Sequence, residues 1–509
     1  MPSRPVSSFA LTQWAAARQP GRRRTVPRES GAKSWPIAVL GVPFDNVTIA
    51  EAVDRIETMI ATRRSHYVVT ANVDFLVQAR RDVELRRVLL EADLVLCDGA
   101  PLVWATRWLG NPLPERAAGS DVVPVLIHAA ARKGHRIFLL GAGPHVAAEA
   151  AARLRAQYPS LNLVGQYTPP FCPLLDLDHE EIVRRVQAAQ PDVLLVSFGC
   201  PKQEKWIAMH YRRLGVPVVM GVGATIDFLA GRVKRAPYWM RHGGIEWLYR
   251  LRQEPRRLFR RYAGDLCRFL PALAMQWKQM PPRSGHLASP TRQSMFVGTT
   301  WLRVWASGAL NIRSLKHNAR FWREAMQERR HCLCDLSQVC TIDSTGVAML
   351  VRWGQRLLAQ GHRFVLLAPS AEVRRVLHNL QLSDHVLISE DWPAAQRLIE
   401  AERIGPAPVI LRGSPRPLAW QGEITAANTE EVWQLTVQLI RALGSKGTIL
   451  VIDLSRVRFI DSTGVGLMLR IAEFARQAGM KVSFGGAQAN VRNVLHLSQL
   501  DWLLNQNSP

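Results

Sequence analysis

Over residues 36–231 short unbroken apolar runs alternate with stretches in which apolar side chains return at helical spacing. The runs at 193–198 (VLLVSF) and 216–222 (VPVVMGV) are bounded by Gly and Pro and have the length of buried parallel strands rather than helices. Three further segments follow the same plan. HYVVT predicts a strand ending at Thr70, a polar turn over 71–74 and a helix; ADLVL predicts a strand to Leu96, a turn at Asp98 and Gly99 and a helix; RIFLL leads through Gly141 and Gly143 into a third helix. Ahead of them, Thr48 with Glu51 three residues on is a capping box opening a helix. Such alternation predicts an α/β fold, a Rossmann-like parallel sheet covered by helices.

In an open sheet of this kind ligands bind where loops leave the carboxyl ends of the strands, and glycines let backbone N–H groups approach a phosphate. Gly199, Pro201, Gln203 and Glu204 follow one run, and Gly221, Gly223 and Asp227 follow the next. These loops are the candidate crevice. The loop GAGPHV at 141–146 lacks the third glycine of a dinucleotide fingerprint, so it reads equally as turn chemistry or as a phosphate-facing loop. Asp176 and Asp178 form a D-x-D that could hold a metal, but Asp178 capping a helix with Glu181 at its third position is the favoured reading.

A chain of 509 residues predicts two to four domains, and 48% hydrophobic with 21% charged residues is ordinary for a globular protein. The net charge of +24 is not ordinary, and it favours an anionic partner: a phosphorylated substrate, an acidic membrane surface or nucleic acid. Seven cysteines without paired CxxC spacing predict neither a zinc site nor a disulfide framework, which fits a reducing, cytoplasmic compartment. No apolar run reaches the ~18 residues of a membrane span. Residues 1–35 are rich in Arg and lack the apolar core of a secretory signal, so they read as a disordered basic tail, with a membrane-binding arm as the alternative.

From 232 to 268 eleven basic residues face three acidic ones, with Trp247, Tyr249, Phe259 and Tyr262 interleaved. Arginines mixed with aromatics on a helix suit an anionic headgroup interface or a pyrophosphate; a solvated charged face and a single-stranded nucleic-acid platform are the alternatives. This basic aromatic appendage is expected over 232–280, followed by a Pro/Ser-rich linker over 281–295. Beyond it, CLCDLSQVCTIDSTG and LVIDLSRVRFIDSTG are copies of one unit at a constant, gapless offset of 118 residues. Two small domains follow, about 296–400 and 405–509, with a junction near 405–408. In each, a strand runs into Asp-Ser-Thr-Gly at a helix start, so Ser344 and Ser462 are either N-caps or phosphorylation sites, where added charge gains from the helix dipole.

Both copies resemble the STAS family, the anti-sigma-factor-antagonist fold, through DSTG at 343–346 and 461–464. The resemblance implies small α/β partner-binding modules in which Ser344 and Ser462 match the phosphorylatable serine, with a protein kinase or other regulator as partner. The first half resembles the WecG/TagA/CpsF glycosyltransferases through TANVDF (70–75), CDGAPLVW (97–104), RAAGSDVVP (116–124), LLGAG (139–143), FGCPKQEKWI (198–207), GVGATIDFLAG (221–231) and the arginine-rich stretch 235–262. That resemblance implies inverting sugar transfer from a UDP-sugar to a lipid-diphosphate-linked acceptor, with no cofactor or metal, at the cytoplasmic face of the membrane.

On the same grounds Asp98 matches the proposed base, and Thr70, Asn72 and Gln203 are placed to bind substrate. Arg116 is a candidate for sugar or diphosphate, Gly141 and Gly143 for the phosphate-facing loop, and Arg250, Arg257 and Arg260 for the charge developing on UDP or for the lipid diphosphate. The expected partners are thus the donor, the lipid-linked acceptor and an anionic membrane surface, and not nucleic acid. The rival reading is an inactive, membrane-associated scaffold in a STAS signalling pathway.

Overall fold

The computed structural model of the chain describes residues 34–504 except 234–235, 238–239, 241–245, 254, 280–292, 299–300, 401–408, 412–417 and 444–448, and except the side chains of 250, 257, 400, 410, 411 and 443. The expected tail before residue 34, most of the expected linker and the 405–408 junction lie outside the described residues.

A hairpin opens the described chain: β1 (Ile37–Val39) pairs antiparallel with β2 (Val42–Phe44). The six-stranded sheet follows, built from β3 (His66–Ala71), β4 (Leu94–Cys97), β5 (Ile137–Gly141), β6 (Leu163–Tyr167), β7 (Val193–Ser197) and β8 (Val218–Gly221). Its order is β4-β3-β8-β7-β5-β6 and every described pairing is parallel. All residues of β4, β5, β7 and β8 are buried, which is why these strands read as continuous apolar runs rather than alternating ones.

Two cores flank the sheet. One face carries Phe75, Leu89, Leu102, Ile182, Trp206 and Phe269; the other carries Ile56, Val122, Leu126, Ala150 and Ile226. The predicted helix starts stand: Thr48 and Glu51 form the capping box of Ile49–Thr62, and the Asp178 carboxylate caps His179–Ala189 by accepting from Glu181 N at 3.0 Å. The chain after β3 turns to the first face and the chain after β8 to the second, so adjacent strands part their connections there and leave a crevice outside their carboxyl ends.

The appendage is two helices, Glu246–Gln253 and Pro255–Lys278. The last residues of the expected linker belong instead to β9 (Gln293–Val297), which pairs antiparallel with β10 (Trp301–Leu310) at the edge of the next sheet. That sheet continues through β11 (His331–Ile342), β12 (Phe364–Leu367) and β13 (Leu387–Ser389) in the order β13-β12-β11-β10-β9. The last sheet is β14-β15-β16-β17, from β14 (Val409–Leu411), β15 (Leu418–Ile424), β16 (Ile449–Ile460) and β17 (Lys481–Gly485). The duplication is exact in structure: the 118-residue offset carries β11 onto β16 and the helices Ser344–Ala359 and Ala371–Asn379 onto Ser462–Gln477 and Ala489–Leu497.

Candidate active site

The sequence-predicted residues of the first half gather along the carboxyl edge of the six-stranded sheet. Thr70 is the penultimate residue of β3; it is buried, and its hydroxyl donates to Gly221 O on β8 at 3.2 Å, across the point where the connections part. Asn72 caps the helix Val73–Ala79 by accepting from Phe75 N at 3.3 Å. Asp98 follows β4, partly exposed, with its N–H donated to Ala71 O at 2.8 Å. The backbone thus binds the Asp98 turn to the Asn72 turn, and a Cβ on Gly99 would lie 3.9 Å from Asn72 Cβ.

Arg116 stands beside this pair. Its guanidinium donates to Asp121 Oδ2 and Glu246 Oε2, each at 2.7 Å. Burial alone would lower its pKa, but Asp121, Glu246 and, more weakly, Asp98 raise it and hold the charge. Glu246 opens the first appendage helix, so Arg116 links the appendage to the edge that carries Asp98.

Gln203 is 2% exposed, and its carbonyl accepts from Gly199 N and Gly223 N at 3.2 Å each. It therefore ties the loops after β7 and β8 together from beneath. Its amide donates to Glu204 Oε1 at 2.6 Å, and the other oxygen of that wholly buried carboxyl has no hydrogen-bond partner. Burial pushes the Glu204 carboxyl up to about 8. Glu204 received no role from the sequence; its signal was a helical spacing of three from the apolar Ile207, which puts it on the inward side.

Gly141 adopts φ 95°, and a Cβ there would sit 2.4 Å from Ser197 O, so the loop 141–143 requires glycine to pass close to the end of β7. Along the strand order Gly141 and Gly143 are four strands from Asp98, roughly 19 Å at the usual ~4.8 Å spacing, with the Gln203 loops between.

Arg260 is exposed and lines an open groove with Leu251, Pro255, Arg256 and Phe259; the side chains of Arg250 and Arg257 lie outside the described residues. Trp247, Leu248, Phe259, Leu266, Leu270, Met275 and Trp277 are all exposed apolar side chains of the same two helices. No helix among the described residues is long and apolar enough to cross a membrane, and no cluster among them offers three metal-ligating side chains.

Neither Ser344 nor Ser462 is an N-cap. The preceding aspartates take that position, Asp343 accepting from Thr345 N and Gly346 N and Asp461 from Gly464 N, because a carboxylate is the stronger acceptor for the free N–H groups. Both serines are buried against the first half. Ser344 Oγ accepts from Gln276 Nε2 at 2.8 Å, and Ser462 Oγ donates to Glu84 Oε2 at 2.8 Å.

Comparison with known proteins agrees with this layout. The family profile described as "Glycosyl transferase WecG/TagA/CpsF family" matches residues 37–283; "STAS domain" matches 306–395 and "Mlab, STAS domain" matches 411–505. An N-acetylglucosaminyldiphosphoundecaprenol N-acetyl-beta-D-mannosaminyltransferase of Staphylococcus aureus strain MW2 is 32% identical over 234 residues, which are 46% of this chain and 90% of the relative. The transferase of the same name from strain MRSA252 is 32% identical over 224 residues, 44% of this chain and 86% of the relative. The chain therefore belongs to the WecG/TagA/CpsF glycosyltransferase family, with two STAS domains following the transferase half.

Proposed function

We propose that the chain transfers N-acetylmannosamine, or a sugar close to it, from its UDP derivative to an N-acetylglucosaminyl diphospholipid, with inversion and with Asp98 as the base. The observation that carries this reading is the placement of a partly exposed carboxylate at one end of the carboxyl edge and a glycine loop roughly 19 Å away at the other. A sugar nucleotide laid along that edge with its sugar at the proton acceptor has its diphosphate beside the loops that Gln203 ties together, and its nucleoside reaches towards the glycine loop. The acceptor specificity is argued from the Staphylococcus aureus relatives, whose names state both the sugar moved and the lipid-linked acceptor.

In the reaction the acceptor hydroxyl oxygen bonds to the anomeric carbon as the bond from that carbon to the diphosphate oxygen breaks. UDP leaves with the electron pair, and the hydroxyl proton passes to Asp98. Thr70 and Asn72 position the sugar beside that carboxylate. Negative charge grows on the leaving diphosphate, and Arg250, Arg257 and Arg260 are the cations proposed to meet it. With that charge met by guanidinium groups, turnover is expected to persist in a chelator.

The exposed tryptophans and arginines of the appendage are proposed to rest on an anionic bilayer, which would place the enzyme at the cytoplasmic membrane face beside its lipid substrate. Flotation with anionic but not with neutral vesicles tests this. Transfer itself is tested with radiolabelled UDP-sugars and a short-chain lipid-diphosphate acceptor. Asp98→Asn is expected to keep the wild-type circular dichroism and to lower turnover by about 10²–10⁴-fold; turnover near wild type would reject Asp98 as the base.

A further inference from the structure

The two STAS modules present the same serine, one repeat apart, to the transferase half, but the partners differ in charge. Ser344 meets the neutral amide of Gln276, whose other bonds run to Leu40 N and Ala38 O. Ser462 meets a carboxylate: its N–H donates to Glu84 Oε1 at 2.6 Å and its hydroxyl to Glu84 Oε2 at 2.8 Å. Glu84 is 3% exposed and belongs to the helix Val83–Glu91. Its Oε2 also lies 2.8 Å from Lys205 Nζ, and Asp82 Oδ2 lies 2.8 Å from the same ammonium. Lys205 is two residues beyond Gln203 in the first turn of Lys202–Leu214, and Gln203 closes the glycine loops after β7 and β8. A continuous line of bonds thus runs from a serine of the last domain to the loops of the crevice.

The contact around this line is a formed interface. Arg87 Nη2 donates to Glu423 Oε2 at 2.8 Å and its guanidinium lies 4.4 Å over the Phe459 ring, while Val83 and Leu175 pack against the core of the second STAS module.

We infer that the second STAS module is a positioning element for the transferase site: Ser462 fixes Glu84, Glu84 with Asp82 fixes Lys205, and Lys205 sets the helix start from which Gln203 holds the donor loops. The partner of this serine-bearing face is the chain's own transferase half, and any outside protein that takes the face must displace Glu84. The inference rests on the reading that the loops held by Gln203 bind the donor. Negative charge at position 462 would stand against Glu84 and Asp82 and open the contact, whereas at 344 it would stand against an amide.

The test uses the full chain and two readouts, amide hydrogen exchange over 199–206 without substrate and the split between donor KM and kcat. Ser462→Asp is expected to speed exchange there about tenfold or more and to raise donor KM about tenfold, as loss of a charged hydrogen bond does, with kcat within about twofold. Ser462→Thr, which keeps the hydroxyl, restores both, and Ser344→Asp leaves 199–206 unchanged. Should Ser462→Asp not fold, Glu84→Gln weakens the hold on Lys205 with little change of shape and is expected to act the same way. If 83–91 and 462–477 exchange faster while 199–206 and donor KM stay at wild-type values, or if no segment changes, the inference is overturned. A wild-type chain that turns over no UDP-sugar would overturn the proposed function instead, and the exchange arm would still decide the coupling.

Discussion

Glu204 is a carboxyl group held almost wholly inside the protein, accepting from the Gln203 amide and leaving its second oxygen without a partner. An unfolded chain releases that proton near pH ~4.3, whereas burial holds the folded group neutral up to about 8. Between those values the folded state binds more protons than the unfolded one. Its favourable share of stability is therefore complete below pH ~4.3 and is lost as pH rises through about 8. Asp265, raised to about 6 by burial and by Asp74, has the same sign. Glu204→Gln keeps a neutral group in the same place. The variant is expected to match wild type near pH 4.5 and to exceed it near pH 8 by on the order of 3 kcal/mol, in urea unfolding at a series of pH values. A parallel loss with pH in both proteins would show that Glu204 is charged in the native state.

At the scale of elements, the Arg116–Glu246 pair ties the start of the appendage to the edge that carries Asp98. Glu246→Gln removes one of the two carboxylates on Arg116 and leaves Asp121 in place. Exchange of the amides in Glu246–Gln253 is expected to quicken about tenfold, the scale of a charge-assisted hydrogen bond, while the helix Lys202–Leu214 stays protected. Equal protection in both proteins would place the anchor elsewhere.

These elements were unevenly legible in the sequence. The strand-turn-helix units of the sheet could be read because β4, β5, β7 and β8 are buried throughout and their turns carry Gly or Asp chemistry, whereas β6 at the edge is only partly buried and lacks the unbroken apolar run. The register of the duplicated domains was fixed by the repeat alone. What could not be read was set by contacts distant in sequence. Asp343 and Asp461 cap the helices while the serines after them face other domains, and β9 was hidden in a Ser-rich segment because only its pairing with β10 makes it a strand. The brace made by Gln203 needed the loops after β7 and β8 to be brought together before its role could appear.

At the scale of the whole molecule, the first STAS module is joined to the transferase half by a buried ionic and apolar contact. Arg352, 5% exposed, donates to Pro43 O at 3.0 Å, to Ala92 O and to the Asp45 carboxylate, while Trp35, Ala38 and Leu90 enter the core of that module. Arg352→Ala leaves the Pro43 and Ala92 carbonyls without their donor and Asp45 with Arg55 as its remaining cation, so it is expected to cost about 3 kcal/mol. It should split a single denaturant transition into two, read by tryptophan fluorescence; an unchanged midpoint would mean that the domains are held together by other contacts.

The helix Val83–Glu91 receives both modules, Arg86 donating to Gln381 O and Leu380 O of the first and Glu84 meeting Ser462 of the second. A nascent chain makes this helix hundreds of residues before its two covers leave the ribosome. Until those covers emerge, Leu90, Arg86 and Glu84 stand in water or in the hands of a chaperone. A message cut short after the transferase half would thus yield a sticky product rather than a smaller enzyme.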